Sequence, residues 1–169
     1  MTLRGSLRDA RWACFLIAAL TILADRWSKL WVVHHLKPGS AIPVIPHVFR
    51  ITHVLNFGAA FSMFAESASP TMVRNMLVAF SAIACVVVFV LIWMWGKRLT
   101  LTSFSLALIL GGAVGNLYDR IRLSYVVDFL EVHIGTYHWP DFNIADSAIV
   151  IGACLLLLET LLPQKGSRS

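Results

Sequence analysis

The feature that most constrains the fold is a series of four apolar runs, each about long enough to cross a bilayer. They cover residues 12–33, 71–95, 101–119 and 144–162. A transmembrane helix needs about 20 predominantly apolar residues. Hydrophobic residues make up 58% of the 169-residue chain and charged residues 14%, whereas a soluble domain averages about 45–50% and 25%. We therefore expect a mainly α-helical integral membrane protein with four transmembrane helices, and we reject a soluble domain.

The basic residues predict the orientation of these helices. Four spans place both termini on one side, and the tails and the turn between the second and third runs are basic. The residues concerned are Arg4, Arg8, Arg11, Lys97, Arg98, Lys165 and Arg168. By the positive-inside rule this side is cytoplasmic. Topology also explains the net charge of +5, so we expect no nucleic-acid partner. Residues 1–169 then form a single membrane domain, with external loops at 34–70 and 120–143.

The first external loop has the composition of short strands. Pro38, Pro43 and Pro46 disfavour helix there. The β-branched and aromatic residues between positions 44 and 54 predict two or three strands. Residues 61–65 predict a short amphipathic helix lying on the membrane surface.

Two aspartates lie in apolar company near the outer ends of the last two spans. Asp128 stands between Val-Val and Phe-Leu, and apolar surroundings raise the pKa of a carboxylate. Asp146 lies at the start of the fourth span, where free N–H groups and the helix dipole favour the ionised form. Such a pair divides acid and base roles, as a hydrolytic dyad requires. We therefore predict catalysis by Asp128 and Asp146.

Each of these acidic residues also has a simpler interpretation. Asp146 suits a helix cap, and Asp128 suits an ion pair with Arg120 or Arg122. In the first span, Asp25 and Lys29 are four residues apart and share a helix face. They are either a neutralised ion pair or support for the active site. From the residues alone, all three alternatives remain open.

We predict no metal and no cofactor. The chain contains no Cys-x-x-Cys and no His-Glu-x-x-His. The histidines fall in the external segments without the usual ligand spacing, which favours interfacial roles; they are His34, His35, His47, His53, His133 and His138. Ser147 lacks a Gly-x-Ser-x-Gly elbow around it, so a serine nucleophile is not indicated.

Five motifs in order give the chain a close resemblance to a known family. They are Asp25-x-x-Ser-Lys29, Asn56-x-Gly-Ala-Ala-Phe61, Gly111-Gly-Ala-Val-Gly-Asn-Leu-x-Asp-Arg120, Val127-Asp-Phe129 and Phe142-Asn-x-Ala-Asp-Ser147. The chain resembles lipoprotein signal peptidase (signal peptidase II), the aspartic peptidase of the bacterial inner membrane. The resemblance covers nearly the whole chain.

The resemblance implies a function and a set of site residues. The family removes the signal peptide of diacylglyceryl-modified prolipoproteins by cutting before the lipidated cysteine, without a metal. It implies that Asp128 and Asp146 are catalytic, near the periplasmic face, and that an outer β-cradle with a short helix closes over the substrate. The implied supporting residues are Asp25, Lys29, Asn56, Gly58, Asn116, Arg120, Asn143 and Ala145. We expect a monomer in contact with membrane lipids.

The sequence departs from the family pattern at two positions, and two alternative functions remain to be considered. Arg26 stands where the family usually has glutamine, and Phe57 where threonine or tyrosine is common. Both bear on substrate fit. One alternative function is a small proton-coupled transporter that uses the acidic residues and Lys29 as a relay. The other is a non-enzymatic assembly or lipid-binding protein, which would not need two aspartates in opposed environments.

Overall fold

The computed structural model describes residues 9–58 and 69–162 and has four helices and four strands within those ranges. In chain order they are α1 (Arg11–His35), β1 (Ala41–Ile45), β2 (Phe49–Asn56), α2 (Pro70–Trp95), α3 (Leu101–Arg122), β3 (Val126–Ile134), β4 (Tyr137–Phe142) and α4 (Ile144–Leu161). The short helix predicted at 61–65 lies outside the described residues.

Helix α3 is the centre of a helical bundle and packs against α1, α2 and α4. The buried side of α1 consists of Cys14, Ala18, Asp25, Lys29 and Val32. Their spacings of three, four and seven residues place them on one face of a helix. The apolar members of this face lie in the core, whereas its two charged members lie near the end that meets the sheet. The bundle therefore has an apolar interior over most of its length and a charged interior at one end.

Glycines let α3 approach two of its neighbours, α1 and α4, closely. A Cβ atom at Gly111 would lie 2.6 Å from the Cβ of Thr21, and one at Gly115 would lie 2.8 Å from Oδ2 of Asp25. On the other side, a Cβ at Gly112 would lie 2.3 Å from the carbonyl oxygen of Ala145. Small residues of this kind allow close packing of membrane helices. These three positions are filled by α1 and α4, so they leave no groove for a substrate.

The four strands form one antiparallel sheet in the order β1-β2-β3-β4. Its first two strands come from the segment after α1, as composition predicted, and the other two from the segment after α3. In the central pair, Val54 is opposite Asp128 and Asn56 is opposite Val126. The sheet therefore joins two segments that are far apart in the sequence and lies at the end of α3 where α4 begins.

The structure changes two of the predicted boundaries. The third helix continues to Arg122, so Arg120 lies in its last turn and not in an external loop. Most of the predicted loop at 120–143 is strand β3 and strand β4. The helix continues because Arg120 and Arg122 are good helix formers, and cations are favourable near a helix C-terminus.

Among the residues that the structure describes, three helices are long and apolar enough to cross a membrane: Thr71–Trp95, Leu101–Arg122 and Ile144–Leu161. On α2, Phe80 is 73% exposed and Ile83 65% exposed. Contiguous apolar surface of this kind is rare on soluble monomers and marks contact with lipid or protein. Helix α1 has a comparable length of 25 residues, but Asp25, Arg26 and Lys29 interrupt its apolar character. The fold is thus mainly helical, with a small antiparallel sheet.

Candidate active site

Asp128 lies in β3 and is held by two asparagine side chains. Only 1% of its surface is exposed. Nδ2 of Asn56 donates to Oδ2 at 2.8 Å, and Nδ2 of Asn143 donates to Oδ1 at 2.7 Å. Burial raises the pKa of Asp128 to about 7; the nearby charge of Asp146 also raises it, while the two amide donors lower it. This carboxyl group therefore exchanges a proton near neutral pH.

Asp146 lies in the first turn of α4 and is more accessible to solvent than Asp128. Asn143 is the N-cap, and its side chain accepts from the Asp146 backbone N–H while Oδ2 of Asp146 accepts from the Asn143 N–H at 3.2 Å. Oδ1 of Asp146 accepts a second hydrogen bond, from Nδ2 of Asn116 at 2.7 Å. The capping interpretation is thus correct, but capping occupies only one oxygen of the carboxylate.

A pair of asparagine amides links the two carboxylates. The Asn143 amide donates to Asp128 and lies 3.3 Å from Oδ1 of Asn116, whose own amide nitrogen donates to Asp146. Asn143 is fully buried and Asn116 is 5% exposed. A buried amide keeps its donors and acceptors in fixed directions because each must be satisfied. The two carboxyl groups are consequently oriented by one continuous hydrogen-bonded chain.

Lys29 anchors that chain from α1. Its Nζ lies 2.8 Å from Oδ2 of Asp25, 2.9 Å from Oδ2 of Asp119 and 3.1 Å from Oδ1 of Asn116. Only 1% of its surface is exposed. The other oxygen of Asp25 accepts the backbone N–H of Ala145 at 2.9 Å. The ion pair therefore contacts the first turn of α4 as well as Asn116. Asp25 and Lys29 are thus a neutralised pair that also contacts residues of the candidate site.

Asp119 is the residue that the sequence reasoning missed as a member of the site. It is 1% exposed, and its second oxygen lies 3.1 Å from Nη1 of Arg26. The guanidinium of Arg26 in turn lies over the ring of Tyr118, 4.7 Å from its centroid. Asp119 is three residues after Asn116 on α3, a spacing that places both on one helix face. That spacing was the sequence signal that could have identified Asp119 as a neighbour of Asn116. Arg26, which we expect to affect substrate fit, contacts this charge network through Asp119.

The remaining predicted residues lie around the two carboxylates. Gly58 has a φ of +86°, and its N–H donates to Oδ1 of Asn56 at 2.8 Å, which orients the amide that binds Asp128. Arg120 is half-buried and close enough for its charge to act on Asp146 and Asp128. In residues 9–58 and 69–162, however, no ion pair joins Asp128 to Arg120 or to Arg122. The simpler interpretation of Asp128 is therefore wrong for this structure.

Phe57 directly follows Asn56, the residue that binds Asp128. Its ring is 59% exposed and meets the ring of Tyr125 edge to face at 5.5 Å. This position places an exposed aromatic surface next to the site.

Within the described part of the chain, one group of side chains has the composition of a metal centre. It consists of Glu131, His133 and His138 on β3 and β4. It lies beyond Asp128 along the same strand and includes neither carboxylate of the pair. Sequence spacing did not suggest it, because His133 and His138 face one another only through the pairing of two strands.

Comparison with known proteins finds relatives that match most of the chain. The family described as "Signal peptidase (SPase) II" matches residues 17–162. The chain is 40% identical to the lipoprotein signal peptidase of Solibacter usitatus, over 93% of this chain and 95% of that protein. It is 45% identical to the lipoprotein signal peptidase of Alteromonas mediterranea, over 85% of this chain and 77% of that protein.

Two solved structures have folds similar to the fold of this chain. A bacterial membrane enzyme solved by the in meso method matches with a TM-score of 0.78 and 29% identity, over 90% of this chain and 94% of that one. A second such enzyme matches with a TM-score of 0.76 and 27% identity. The chain is thus a membrane-integrated bacterial protease, and it belongs to the signal peptidase II family.

Proposed function

We propose that this protein removes the signal peptide from diacylglyceryl-modified prolipoproteins by cutting before the lipidated cysteine. In this proposal Asp128 and Asp146 are an aspartic dyad that activates water without a metal. The observation that supports it best is the amide chain through Asn143 and Asn116, which holds two carboxyl groups in different environments. Family membership and the names of the relatives support the choice of substrate.

The two carboxyl groups suit opposite tasks. Below about pH 7 Asp128 carries a proton, which it donates to the scissile carbonyl oxygen. Asp146, more accessible and at a helix N-terminus, takes a proton from the attacking water. The new C–O bond forms as the carbonyl oxygen is protonated, which gives a diol. When the C–N bond then breaks, Asp146 passes the proton it took from water to the leaving nitrogen, and Asp128 recovers a proton from the diol hydroxyl that becomes the new carbonyl. Arg120 adds positive charge near both groups and offsets their mutual repulsion.

The other residues keep this geometry in place. Asn56 and Asn143 bind Asp128, and Asn116 binds Asp146. Asp25 and Lys29 fix Asn116 and the N–H of Ala145 from α1. Positioning of this kind is a large part of catalysis, because reacting groups must stay within a few tenths of an ångström of the productive arrangement.

The transporter alternative is not favoured. A proton relay across a membrane requires polar groups through its depth. Here the charged network lies at the end of the bundle beside the sheet, and α2 between Phe80 and Trp95 contains no charged residue. A lipid-binding protein without activity is also disfavoured, since the chain belongs to a protease family.

We further propose that α1 crosses the membrane as a fourth span. Its 25 residues give a length of about 37 Å at 1.5 Å per residue, and the charges of Asp25 and Lys29 are paired inside the bundle. Both termini are then cytoplasmic, and the sheet and the dyad lie at the periplasmic face. The sheet would form the cradle that receives the substrate.

The orientation has a direct test. A reporter inserted at Gly135, in the exposed turn between β3 and β4, should be periplasmic. A reporter inserted after Arg98, between α2 and α3, should be cytoplasmic. Alkaline phosphatase and green fluorescent protein fusions at both points provide complementary readings. A cytoplasmic signal at Gly135 would exclude this topology.

The substrate assignment is tested with two forms of one prolipoprotein. Purified enzyme should cut the diacylglyceryl-modified form before its modified cysteine and leave the unmodified form nearly uncut. Mass spectrometry of the products identifies the cleavage point. A matched substrate with cysteine changed to serine serves as the control. Equal cleavage of all forms would reject the lipid requirement, and cleavage of none would reject the function.

The pH profile tests the role of Asp128. If catalysis needs its proton, kcat/KM should fall as pH rises through about 7. Asn56→Ala removes a donor that stabilises the ionised form, so the pKa of Asp128 should rise and the alkaline limb should move to higher pH. The variant should also be slower, since Asn56 positions the carboxyl group. Asn75→Ala, on the exposed side of α2, is the matched control. An alkaline limb unmoved by Asn56→Ala would contradict this assignment.

A further inference from the structure

The group formed by Glu131, His133 and His138 lies on one side of the β3–β4 hairpin. His133 is directly opposite His138, and Glu131 precedes His133 by two residues on β3. Residues two apart on a strand project to the same face. Nε2 of His133 lies 2.6 Å and Nε2 of His138 lies 3.4 Å from the same oxygen, Oε1 of Glu131. All three donor atoms lie within 4.8 Å of one another.

These distances suit a small divalent cation. Zn²⁺ binds imidazole nitrogen and carboxylate oxygen at about 2.0–2.2 Å in a tetrahedron, which separates neighbouring donors by about 3.3 Å. Oδ2 of Asp141 lies 3.7 Å from Nε2 of His138 but is not part of the group whose donor atoms all lie within 4.8 Å of one another, so the fourth position is left for water. The other oxygen of Asp141, Oδ1, is already fixed by a hydrogen bond from Oγ1 of Thr52 at 2.8 Å. Two imidazoles favour zinc over magnesium or calcium, which prefer oxygen.

The neighbours of the group resemble the outer ligands of a metal centre. Glu131 is 3% exposed. Nε of Arg50 donates to its Oε2 at 2.8 Å, which holds the carboxylate with Oε1 directed at the two imidazoles. Nη2 of Arg50 also contacts Oε1, so three nitrogen groups converge on one oxygen. A buried carboxylate that is oriented by a second residue is typical of metal ligands.

We propose that Glu131, His133 and His138 bind one Zn²⁺ ion, with water in the fourth position. The ion joins β3 to β4 near their connecting turn and fastens the outer end of the sheet. Its role is to stabilise the strand that carries Asp128, and the ion takes no part in activating water. The site is open to the outside, since the His138 side chain is 48% exposed. The proposal does not depend on the proposed peptidase mechanism.

Metal binding and thermal unfolding of the purified full-length protein test the proposal. After chelator treatment and removal of the chelator, the protein should bind one Zn²⁺ per chain, measured by calorimetry, and Tm should rise with Zn²⁺ concentration. Bound Co²⁺ should give the visible absorption of a tetrahedral site. His133→Ala and His138→Ala should each weaken Zn²⁺ binding roughly tenfold or more. His34→Ala, an exposed histidine at the end of α1, is the matched control and should bind as the wild type does.

Several results would overturn the proposal. These are Zn²⁺ binding that is absent in the wild type, binding that His133→Ala and His138→Ala leave unchanged, or a Tm that does not respond to Zn²⁺. The single histidine variants should match the wild-type Tm in the absence of metal, which separates lost binding from misfolding. Prolipoprotein cleavage below the Tm should continue in chelator, so failure of the zinc site and failure of the peptidase function give different results.

Discussion

Replacing either Asp128 or Asp146 with asparagine should lower prolipoprotein cleavage by about 10²–10⁴-fold, the usual cost of losing general acid–base catalysis. The change preserves size but removes the ionisable group. Because the two carboxyl groups act as a unit, the double variant should be little slower than either single variant. The measurement is single-turnover cleavage by purified enzyme at saturating substrate. Asp9→Asn, an exposed carboxylate at the far end of α1, should retain wild-type activity.

Two results would contradict the dyad. One is near-normal cleavage by purified Asp128→Asn or Asp146→Asn. The other is loss of cleavage when a chelator is added to folded wild-type enzyme, which would indicate a metal-activated water. Both variants should still insert and fold, because asparagine at either position keeps one oxygen acceptor for the neighbouring amides. Membrane fractionation and thermal unfolding verify this point.

Removing the charge of Lys29 should have the largest effect on stability. Lys29→Met leaves Asp25 and Asp119 without their shared cation in a place where both are 1% exposed. Breaking a buried ion pair from one side typically costs about 3–5 kcal/mol. Activity should fall too, since Asn116 loses a donor that fixes it. Lys37→Met makes the same chemical change at an exposed position and should change little.

A second substitution distinguishes lost charge compensation from lost packing. Asp25→Asn added to Lys29→Met removes one uncompensated carboxylate, so the double variant should recover part of the lost stability. Contacting residues commonly show coupling of about 0.5–3 kcal/mol. Denaturant unfolding in detergent gives the free energy of unfolding of the wild type, the two single variants and the double variant. A double variant less stable than Lys29→Met by the full cost of Asp25→Asn alone would show that the charges act independently.

Much of the site was predictable because its residues are chemically out of place in an apolar chain. Asp25, Lys29, Asp128 and Asp146 stand out as charges beside long apolar runs, and the structure groups them at one end of the bundle. Asn143 was identifiable from the helix start that it caps. A helical spacing of three residues also pointed to Asp119, but the apolar run around it was read as the end of a span. The continuation of α3 to Arg122 shows why that reading was incomplete.

The second half of the sheet was harder to foresee. Strands β3 and β4 contain charged residues, a proline and histidines, namely Asp128, Glu131, His133, His138, Pro140 and Asp141, and none of these is a strong strand former. Their pairing depends on β2, which is distant in the sequence. The approach of Glu131 to Arg50 and His138 therefore had no local signal. Tertiary pairing of this kind is where sequence periodicity gives no information.

The pairing of β2 with β3 also sets an order of events during synthesis. Asn56 and Asp128 are 72 positions apart, and Asp146 lies on α4, which is synthesised after α2 and α3. On the proposed topology, the acid of the pair meets its amide partner only after α2 and α3 have been inserted and both outer segments exported. The proposed base, Asp146, joins the site only when α4 has been inserted. If the proposed dyad and topology hold, a growing chain is inactive until α4 is in the membrane, and cleavage then takes place on the periplasmic side.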